Sequence, residues 1–412
     1  MSLLPRPFAA RRPRPRIIIA GAGFAGLSAA RALNPHQADV TVVSPRPHAD
    51  WLPNLHELLS RHKSAGQLQA NLRQLLPALG HRFLCDSVLH LDRAQQRLLT
   101  YRGEWLDYDV LVLATGSRSC DYDIPGVAVH GQSPRSVESC VHISNALTRL
   151  AARHTGRNVV MVGGGIEGLE MLGEILRRFG DGQRLTLHLV EQGHQLIPRF
   201  PGVHKRLVDA MGHQVQLYMG RRVVAMEAQR VHLDDGKVLN SQLTLWSAGR
   251  RTQPLPAEAG LTVTGEDVPV DDTLLSRADK RIFVAGDTAA LSSPLAKQAY
   301  HAQDMGVHAA RNALLLADGK PLRPFRALHR PVVFSFGDRD GLMFYGRQAL
   351  ASAALVTIKE AVYQYGFHLW QPPQSRLKFW NKVARNIRHG ICELDAWHLL
   401  LKSAESELFT AA

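Results

Sequence analysis

Two stretches of sequence decide the fold: IIIAGAGFAG at residues 17–26 and VVMVGGGIEG at residues 159–168. Each is an apolar run that leads into the pattern G-x-G-x-x-G and then into a helical pattern. In such a turn the first glycine permits the tight strand-to-helix connection, the second lets the backbone approach a pyrophosphate, and the third packs helix on strand. The phosphates then lie at the helix N-terminus. Two stretches of this kind predict two dinucleotide-binding sites.

The composition is that of a globular protein. The chain has 412 residues and 45% hydrophobic residues, enough for two or three domains with ordinary cores. It has no uninterrupted run of 18 apolar residues, and residues 1–16 hold Arg and Pro where a secretory signal is apolar. We therefore expect neither a membrane span nor a signal peptide, and a cytoplasmic protein. Residues 1–15 are expected to form a disordered basic tail.

The four cysteines lie far apart in the sequence, at Cys85, Cys120, Cys140 and Cys392. This spacing argues against a redox disulfide between neighbouring cysteines and against a zinc site. We expect buried thiols and no metal.

The net charge of +13 is concentrated in two segments. Residues 1–16 hold five Arg and residues 371–390 hold five Lys or Arg, and neither segment holds an acid. Nucleic-acid binding is expected to need a basic stripe on the folded surface instead. The distribution favours a polybasic contact with anionic lipid and no nucleic-acid partner.

The order of the predicted elements indicates one domain inserted in another. A β-α-β unit starts at residue 16, a second occupies about 134–249, and a further strand and turn follow at 281–290. The predicted fold class is α/β, with two Rossmann-like dinucleotide-binding domains and a C-terminal helical extension. The predicted boundaries are 1–15 for the tail, 16–133 and 251–325 for the first domain, 134–250 for the inserted domain and 326–412 for the extension.

Five motifs in order resemble the two-dinucleotide-binding-domain flavoprotein reductases. They are the first glycine motif, YDVLVLATGS at 108–117, the second glycine motif with a following Glu, AGRRTQP at 248–254 and FVAGD at 283–287. The segment GLEMLGE at 168–174 and the C-terminal extension are similar to type II NADH:quinone oxidoreductases. The resemblance implies FAD in the first site, NADH in the second and NADH dehydrogenase activity. A homodimer is left open.

The motifs and the resemblance together assign cofactor-binding residues. Those expected at FAD are Gly21, Gly23, Phe24, Ala25, Gly26, Ser44, Arg46, Ala114, Thr115, Gly116, Gly286 and Asp287. Those expected at NADH are Gly163, Gly165, Ile166, Glu167, Gly168, Glu191 and Gly249.

Glu191 and Ser44 follow equivalent strands but differ in chemistry. Glu191 can accept hydrogen bonds from the adenosine ribose and would repel a 2′-phosphate, which predicts a preference for NADH. The alternative is an acid that merely ends the strand. In the first unit Ser44-Pro45-Arg46 stands where these flavoproteins usually place an acid. Ser44 offers one hydroxyl and Arg46 can reach the ribose or a phosphate, so weaker FAD binding is expected.

Three further residues are candidates near the flavin. Asp287 resembles the residue that holds the ribityl chain, or else it only forms a turn. A helix expected to begin near Ala296 would point its positive end at the flavin, and Lys297 either adds to that effect or is a solvated lysine. By the resemblance Glu170 lies near nicotinamide and flavin, where it would orient the carboxamide. The alternative is a helix Glu that pairs with Arg177 or Arg178.

The electron acceptor is the least defined part of the prediction. Type II enzymes usually carry A-Q-x-A-x-Q on the helix after the AGD turn, facing the quinone. In this chain Tyr300 and Asp304 replace the two glutamines. Tyr300, His301 and Asp304 could still present donors to a quinone carbonyl, so quinone remains the expected acceptor, with a different acceptor left open.

The segment from Leu377 to Leu394 predicts a basic amphipathic helix. Apolar residues that include Trp380 share one face, and Lys378, Lys382 and Arg385 lie opposite. Such a helix either binds the inner face of the cell membrane or covers the core. The expected function is NADH-driven quinone reduction through FAD at the membrane surface. The alternatives are reduction of a soluble electron-carrier protein and an NADH-sensing interaction module with slow turnover.

Overall fold

The computed structural model describes residues 13–372, apart from residues 181, 183, 201 and 353. Its helices are α1 (Phe24–Ala32), α2 (Glu57–Ser60), α3 (Leu72–Ala78), α4 (Val127–His130), α5 (Val137–Ala151), α6 (Ile166–Phe179), α7 (Val203–Met211), α8 (Leu255–Glu258), α9 (Ala299–Ala317) and α10 (Ala354–His368). Its strands are β1 (Arg16–Ala20), β2 (Asp39–Ser44), β3 (His48–Asp50), β4 (Gln69–Asn71), β5 (Arg82–Cys85), β6 (Val88–Asp92), β7 (Arg97–Thr100), β8 (Trp105–Asp107), β9 (Val110–Leu113), β10 (Ser117–Ser119), β11 (Gly131–Gln132), β12 (Asn158–Val162), β13 (Thr186–Glu191), β14 (Val215–Met219), β15 (Val223–Glu227), β16 (Arg230–Leu233), β17 (Val238–Asn240), β18 (Leu243–Trp246), β19 (Arg250–Thr252), β20 (Val268–Pro269), β21 (Ile282–Val284), β22 (Ala289–Ala290), β23 (Val332–Phe336), β24 (Asp340–Tyr345) and β25 (Gln348–Ala351).

The first Rossmann-like sheet is parallel and has the order β21-β9-β1-β2-β5. Its strands β1 and β9 are almost entirely apolar and buried, as expected for a parallel sheet covered by helices. Helix α1 packs closely against α9: a Cβ on Gly306 would lie 2.0 Å from the carbonyl oxygen of Ala25. Since β21 and α9 follow the second glycine motif in sequence, the chain returns to the first sheet after building the second.

The second sheet is also parallel, with the order β11-β18-β12-β13-β14. Strand β12 is central and feeds α6, so each glycine motif leaves an inner strand of its sheet. Strand β11 belongs to this sheet although it precedes the predicted boundary at residue 134. Strands β10 and β19, on the two connections between the domains, pair with each other antiparallel.

The extension begins with a three-stranded antiparallel sheet, β23-β24-β25, where the sequence predicted only helix. Helix α10 follows this sheet. A Cβ on Gly173 of α6 would lie 2.4 Å from the backbone nitrogen of Gly337, and one on Gly366 of α10 would lie 2.5 Å from the Trp51 ring. The extension therefore packs on both dinucleotide domains.

Two predicted segments lie outside the described residues. They are residues 1–12 of the basic tail and the amphipathic segment from Leu377 to Leu394. Within the described part of the chain, no helix combines the length and the apolarity needed to cross a bilayer.

Candidate active site

The two glycine motifs have the same backbone geometry. Gly21 and Gly163 each have a φ of +104°, a backbone conformation that residues other than glycine rarely adopt. A Cβ on Gly26 would lie 1.8 Å from the carbonyl oxygen of Gly21, and one on Gly168 would lie 2.1 Å from that of Gly163. Helix and turn touch in both motifs, so the first and third glycines are sterically required.

The middle glycine of each motif has free space where a side chain would be. A Cβ on Gly23 or Gly165 would meet no atom of the described residues within 4 Å. Both are N-caps, of α1 and α6, and neither helix start has a side-chain cap hydrogen bond. The backbone N–H groups of two helix N-termini are thus accessible to an anion, which is the arrangement that a dinucleotide pyrophosphate needs.

The remaining residues of the two motifs differ in burial. Phe24 is buried, and its ring centroid lies 5.0 Å from that of Trp51 and 4.5 Å from that of Trp370, so its side chain serves the core. Ile166 is half-buried and Glu167 is exposed at the start of α6.

Glu191 ends β13 beside the second motif, where the sequence predicts a ribose-binding acid. Its Oε2 accepts a hydrogen bond from the backbone of Gly164 at 2.7 Å, and its Oε1 accepts one from Gly193 at 2.7 Å. The carboxylate therefore braces the turn. An ionised carboxylate can accept further hydrogen bonds, so the ribose contact stays a prediction that this position allows.

The matching end of β2 carries Ser44, which is buried, and then Arg46. Arg46 donates to the carboxylate of Asp50, whose side chain is only 1% exposed. Asp50 also accepts from Gln69 at 2.9 Å and from the backbone of Val137 at 3.2 Å. The guanidinium is thus fixed at this end of the sheet by a buried acid that the sequence analysis did not identify.

The ATG and AGD turns are joined by side-chain hydrogen bonds. Ser117 Oγ donates to Asp287 Oδ2 at 2.8 Å, and the backbone of Gly116 donates to Thr288 Oγ1 at 2.8 Å. Thr115 Oγ1 lies 3.4 Å from the same threonine oxygen. The carbonyl of Ala114 lies so near Gly21 that no side chain fits there. These three motifs therefore form one continuous surface at the carboxyl edge of the first sheet.

A cavity of about 430 Å³ opens between the AGD turn and the start of α9. Gly286, Asp287 and Gln298 are among the residues that line it. The side-chain oxygen Oε1 of Gln298 is buried and has no hydrogen-bond partner among the described residues. A ligand with a hydrogen-bond donor would satisfy this oxygen, so the cavity fits the polar edge of a flavin ring.

Lys297 lies outside the helix, because α9 begins at Ala299 and not near Ala296, and its side chain is 25% exposed. Its ammonium donates to the carbonyls of Asp287 at 3.0 Å and Ala289 at 2.7 Å, and it lies 2.9 Å from Asp267 Oδ2. Lys297 therefore holds the AGD turn in place.

Asp267 is the anion at the centre of this arrangement. Burial would raise the pKa of its carboxyl, but hydrogen bonds from Arg250, Thr252 and Lys297 lower it from 3.8 to about 2. Asp267 thus stays ionised and neutralises two cations beside the cavity.

Tyr300 and Asp304 lie on another face of α9. The cavity is lined by Gln298, the N-cap of α9, and by His301, Ala302 and Met305, which share one face of the helix. Tyr300 and Asp304 are spaced four apart on a separate face, where Arg330 donates to Asp304 Oδ1 at 2.9 Å. The structure therefore does not bring this pair to the cavity wall.

Glu170 is buried at the junction of α6 with the extension. Its Oε1 accepts from Lys359 at 2.5 Å and from the backbone of Ser335 at 3.2 Å, and its Oε2 lies 3.5 Å from His56 Nδ1. Burial raises the pKa of Glu170, and the attraction of Lys359 opposes that rise. Burial and the charge of Lys359 hold the pKa of His56 well below its ordinary value.

The alternative pairing of Glu170 with Arg177 or Arg178 is wrong. Arg177 lies 3.6 Å from Glu174, and Arg178 donates to the carbonyl of Leu59 at 3.0 Å. Lys359 was missed because it lies 189 positions from Glu170 in the sequence and belongs to no motif.

Gly249 adopts a φ of +73° and lies under the ring of Tyr122: a Cβ on this glycine would come within 2.0 Å of the phenol oxygen. Cys120 and Cys140 are buried free thiols, as expected, whereas Cys85 is a free thiol that is only half-buried; Cys392 lies outside the described residues.

Comparisons with known proteins agree with this geometry. The family model of the pyridine nucleotide-disulphide oxidoreductases matches residues 15–306. The chain belongs to this family. The type II NADH:quinone oxidoreductase of Staphylococcus haemolyticus is 24% identical over 83% of this chain and 92% of the relative. The demethylphylloquinone reductase NdbB of Synechocystis is 25% identical over 87% of this chain and 93% of the relative.

The fold matches that of a protein of known structure. The structure of NDH2 from Plasmodium falciparum in complex with NADH superposes with a TM-score of 0.77, covering 85% of this chain and 94% of that one at 14% identity. The predicted resemblance, the α/β fold class and the assignment as an NADH dehydrogenase-type oxidoreductase are confirmed. FAD and NADH are the cofactors of this class of enzyme.

Proposed function

We propose that the protein oxidises NADH and reduces a quinone, so that NADH, quinone and one proton become NAD⁺ and quinol. The observation that carries the proposal is the matched pair of open glycine turns, each at an uncapped helix N-terminus. Two dinucleotides can therefore bind to one chain. The relatives named for NADH and quinone reactions support the choice of donor and acceptor.

The residues divide into two groups by cofactor. The first glycine motif, Arg46 and the ATG and AGD turns would hold FAD, which when bound supplies two-electron transfer between nicotinamide and quinone. The second motif and Glu191 would hold NADH. Hydride transfer itself needs no acid or base from the protein, so these residues contribute distance and orientation.

Glu170 has a separate part in the proposal. Its Oε1 is held by Lys359 and Ser335, which fixes the plane of the carboxylate. Its Oε2, which lies 3.5 Å from His56 Nδ1, would accept a hydrogen bond from the nicotinamide carboxamide. Such a contact would orient the ring before transfer.

We further propose that the protein works on the inner face of the cell membrane as a peripheral protein. The support is the sequence pattern from Leu377 to Leu394, which in a helical projection would place Lys378, Lys382 and Arg385 opposite an apolar face. A quinone dissolved in the bilayer would then be within reach.

The test is an anaerobic titration of the purified yellow protein. NADH should bleach the flavin absorbance, and a soluble naphthoquinone added next should restore it within the turnover time. If NADH bleaches the flavin and an electron-carrier protein restores its absorbance but the quinone does not, the acceptor is the carrier protein and not a quinone. Slow recovery with every acceptor would favour an NADH-sensing role instead.

A further inference from the structure

Asp267 lies in the wall of the cavity at the AGD turn, and its position is fixed by the strands around it. It directly precedes β20, which pairs with β22 after the AGD turn. Its carboxylate accepts from both terminal nitrogens of Arg250, at 3.0 Å and 2.8 Å, and from Thr252 Oγ1 at 2.5 Å. Asp267 therefore cannot leave the cavity wall without breaking several hydrogen bonds.

The ammonium of Lys297 has no N–H group left for a ligand. It has three donors, and three acceptors surround it: the carbonyls of Asp287 and Ala289, and Asp267 Oδ2 at 2.9 Å. Lys297 therefore acts on a molecule in the cavity as a fixed positive charge, and Asp267 is the anion that lies against this charge.

The charges at the cavity balance. Among its lining residues, two are carboxylates and two are lysine or arginine: Asp267, Asp287, Arg250 and Lys297. The side chains of Asp267 and Lys297 are 18% and 25% exposed, so water and salt screen their charges only in part. Reduction adds electrons to a flavin ring. Nearby cations therefore favour the reduced form, and nearby carboxylates favour the oxidised form.

We propose that Asp267 is a positioning residue that lowers the reduction potential of the bound flavin by cancelling the positive charge of Lys297 and Arg250. A lower potential makes the reduced flavin a stronger electron donor to the acceptor. The inference rests on the proposed binding of FAD at this cavity. It assigns the energy balance between the two half-reactions, NADH to flavin and flavin to quinone, to an acid that lies outside the five sequence motifs.

The test measures the midpoint potential of the bound flavin by anaerobic titration of the holoenzyme against a reference dye. The variants are Asp267→Asn, Lys297→Met and the double variant. Asp209→Asn is the matched control. Asp209 also pairs with a lysine, Lys205 at 2.8 Å, but this pair is exposed on α7 and does not line the cavity.

Asp267→Asn should raise the midpoint potential, because its cations are then left without their counter-charge beside the ring. At a given potential the ratio of reduced to oxidised flavin should rise tenfold or more, and tenfold is about 30 mV for a two-electron couple. Lys297→Met should lower the midpoint. The double variant should lie near the wild type, since it removes one charge of each sign, and Asp209→Asn should match the wild type.

Stopped-flow kinetics give a second readout. In Asp267→Asn, reduction of the flavin by NADH should be as fast as in the wild type or faster, and reoxidation by menadione should be slower. The reason is that a higher potential moves driving force from the second half-reaction to the first. A loss of structure alone would slow both half-reactions.

The outcomes separate this inference from the proposed function. The inference is wrong if Asp267→Asn has the wild-type midpoint, or if Asp267→Asn and Lys297→Met shift it in the same direction. If Asp267→Asn does not retain FAD, Lys297→Met decides, and a midpoint that stays the same or rises contradicts the inference. A wild type that binds no flavin, or whose flavin is not reduced by NADH, contradicts the proposed function itself.

Discussion

Glu191 is a single carboxylate with two tasks, since it accepts from the backbone of Gly164 and Gly193 and is proposed to bind the adenosine ribose. A 2′-phosphate would meet this anion directly, so kcat/KM for NADH should exceed that for NADPH by tenfold or more. Stopped-flow bleaching of the flavin by each nucleotide measures this ratio. Equal rates with the two nucleotides would mean that Glu191 does not face the ribose.

Two variants of Glu191 separate the effect of its negative charge from that of its hydrogen bonds to the turn. Glu191→Arg should move the preference toward NADPH. Glu191→Gln keeps the size and one acceptor oxygen, so it should relax the preference while the thermal midpoint falls only modestly. A large fall in the midpoint with an unchanged preference would assign Glu191 to the turn alone.

The pair of Glu170 and Lys359 is a buried ion pair, with side chains only 9% and 11% exposed. Lys359→Met leaves Glu170 buried without its cation, which should cost about 3–5 kcal/mol of unfolding free energy. The double variant with Glu170→Gln should recover most of that loss, because no unpaired charge remains. Urea unfolding of both single variants and the double variant gives the coupling energy. Additive losses would show that the two groups do not act as a pair.

For single residues, the sequence predicts the positions that belong to contiguous motifs. The glycine motifs, the acid after β13 and the AGD turn are contiguous patterns, and each stands where its pattern indicates. The partners of Glu170 and Asp304 were not predictable, because Lys359 and Arg330 come from the extension and carry no spacing signal. Long-range polar contacts depend on how elements pack.

Helix α10 rests on the first domain through an aromatic cluster of Phe24, Trp51, Tyr363, Phe367 and Trp370. Gly366 lies against Trp51, whose ring nitrogen donates to Asn54 at 2.9 Å. The ring is therefore fixed, and a Cβ at 2.5 Å from it has no room.

Gly366→Ala tests which of two effects wins. Alanine should favour the helix by about 1 kcal/mol through its propensity. The clash with a fixed, buried indole should cost about 1–3 kcal/mol, as overpacking usually does, and a contact of 2.5 Å places that cost toward the upper end, so the loss should exceed the gain. The urea midpoint should fall, and the control Gly66→Ala should leave it unchanged because a Cβ there meets nothing within 4 Å. A midpoint that rises for Gly366→Ala would mean that α10 is loosely packed.

Some helices and strands were predicted correctly and others were not, for physical reasons. Buried parallel strands such as β1 and β12 give continuous apolar runs, and these were placed to within a residue or two. Helix α9 begins three residues later than expected, because Lys297 is bound to the AGD turn. The antiparallel sheet β23–β25 was missed, since β24 is mostly buried and β25 mostly exposed, so neither strand alternates between buried and exposed residues.

The described residues form two five-stranded parallel sheets and six smaller sheets; the β10–β19 pair links the two connections between the domains, and the extension packs on both domains. The order of motifs predicted the two-domain α/β fold, because the return strand β21 carries its own motif. The role of the extension was not predictable, since packing on both domains leaves no mark in local sequence. As far as residue 372, the extension belongs to the body of the protein.

The segment after residue 372 is where membrane binding is proposed to reside, so it should be separable from NADH oxidation. Deleting residues 373–412 removes Lys378, Lys382 and Arg385 but leaves the aromatic cluster intact. The truncated protein should still be bleached by NADH and should fail to sediment with anionic vesicles. Changing only these three residues to Glu should weaken vesicle binding by two orders of magnitude or more, because each contributes about 1 kcal/mol. Added salt should weaken binding of the wild type in the same way. The proposed membrane site is wrong if the wild type does not bind anionic vesicles at low salt. It is also wrong if the deletion releases the flavin, because the segment then covers the core.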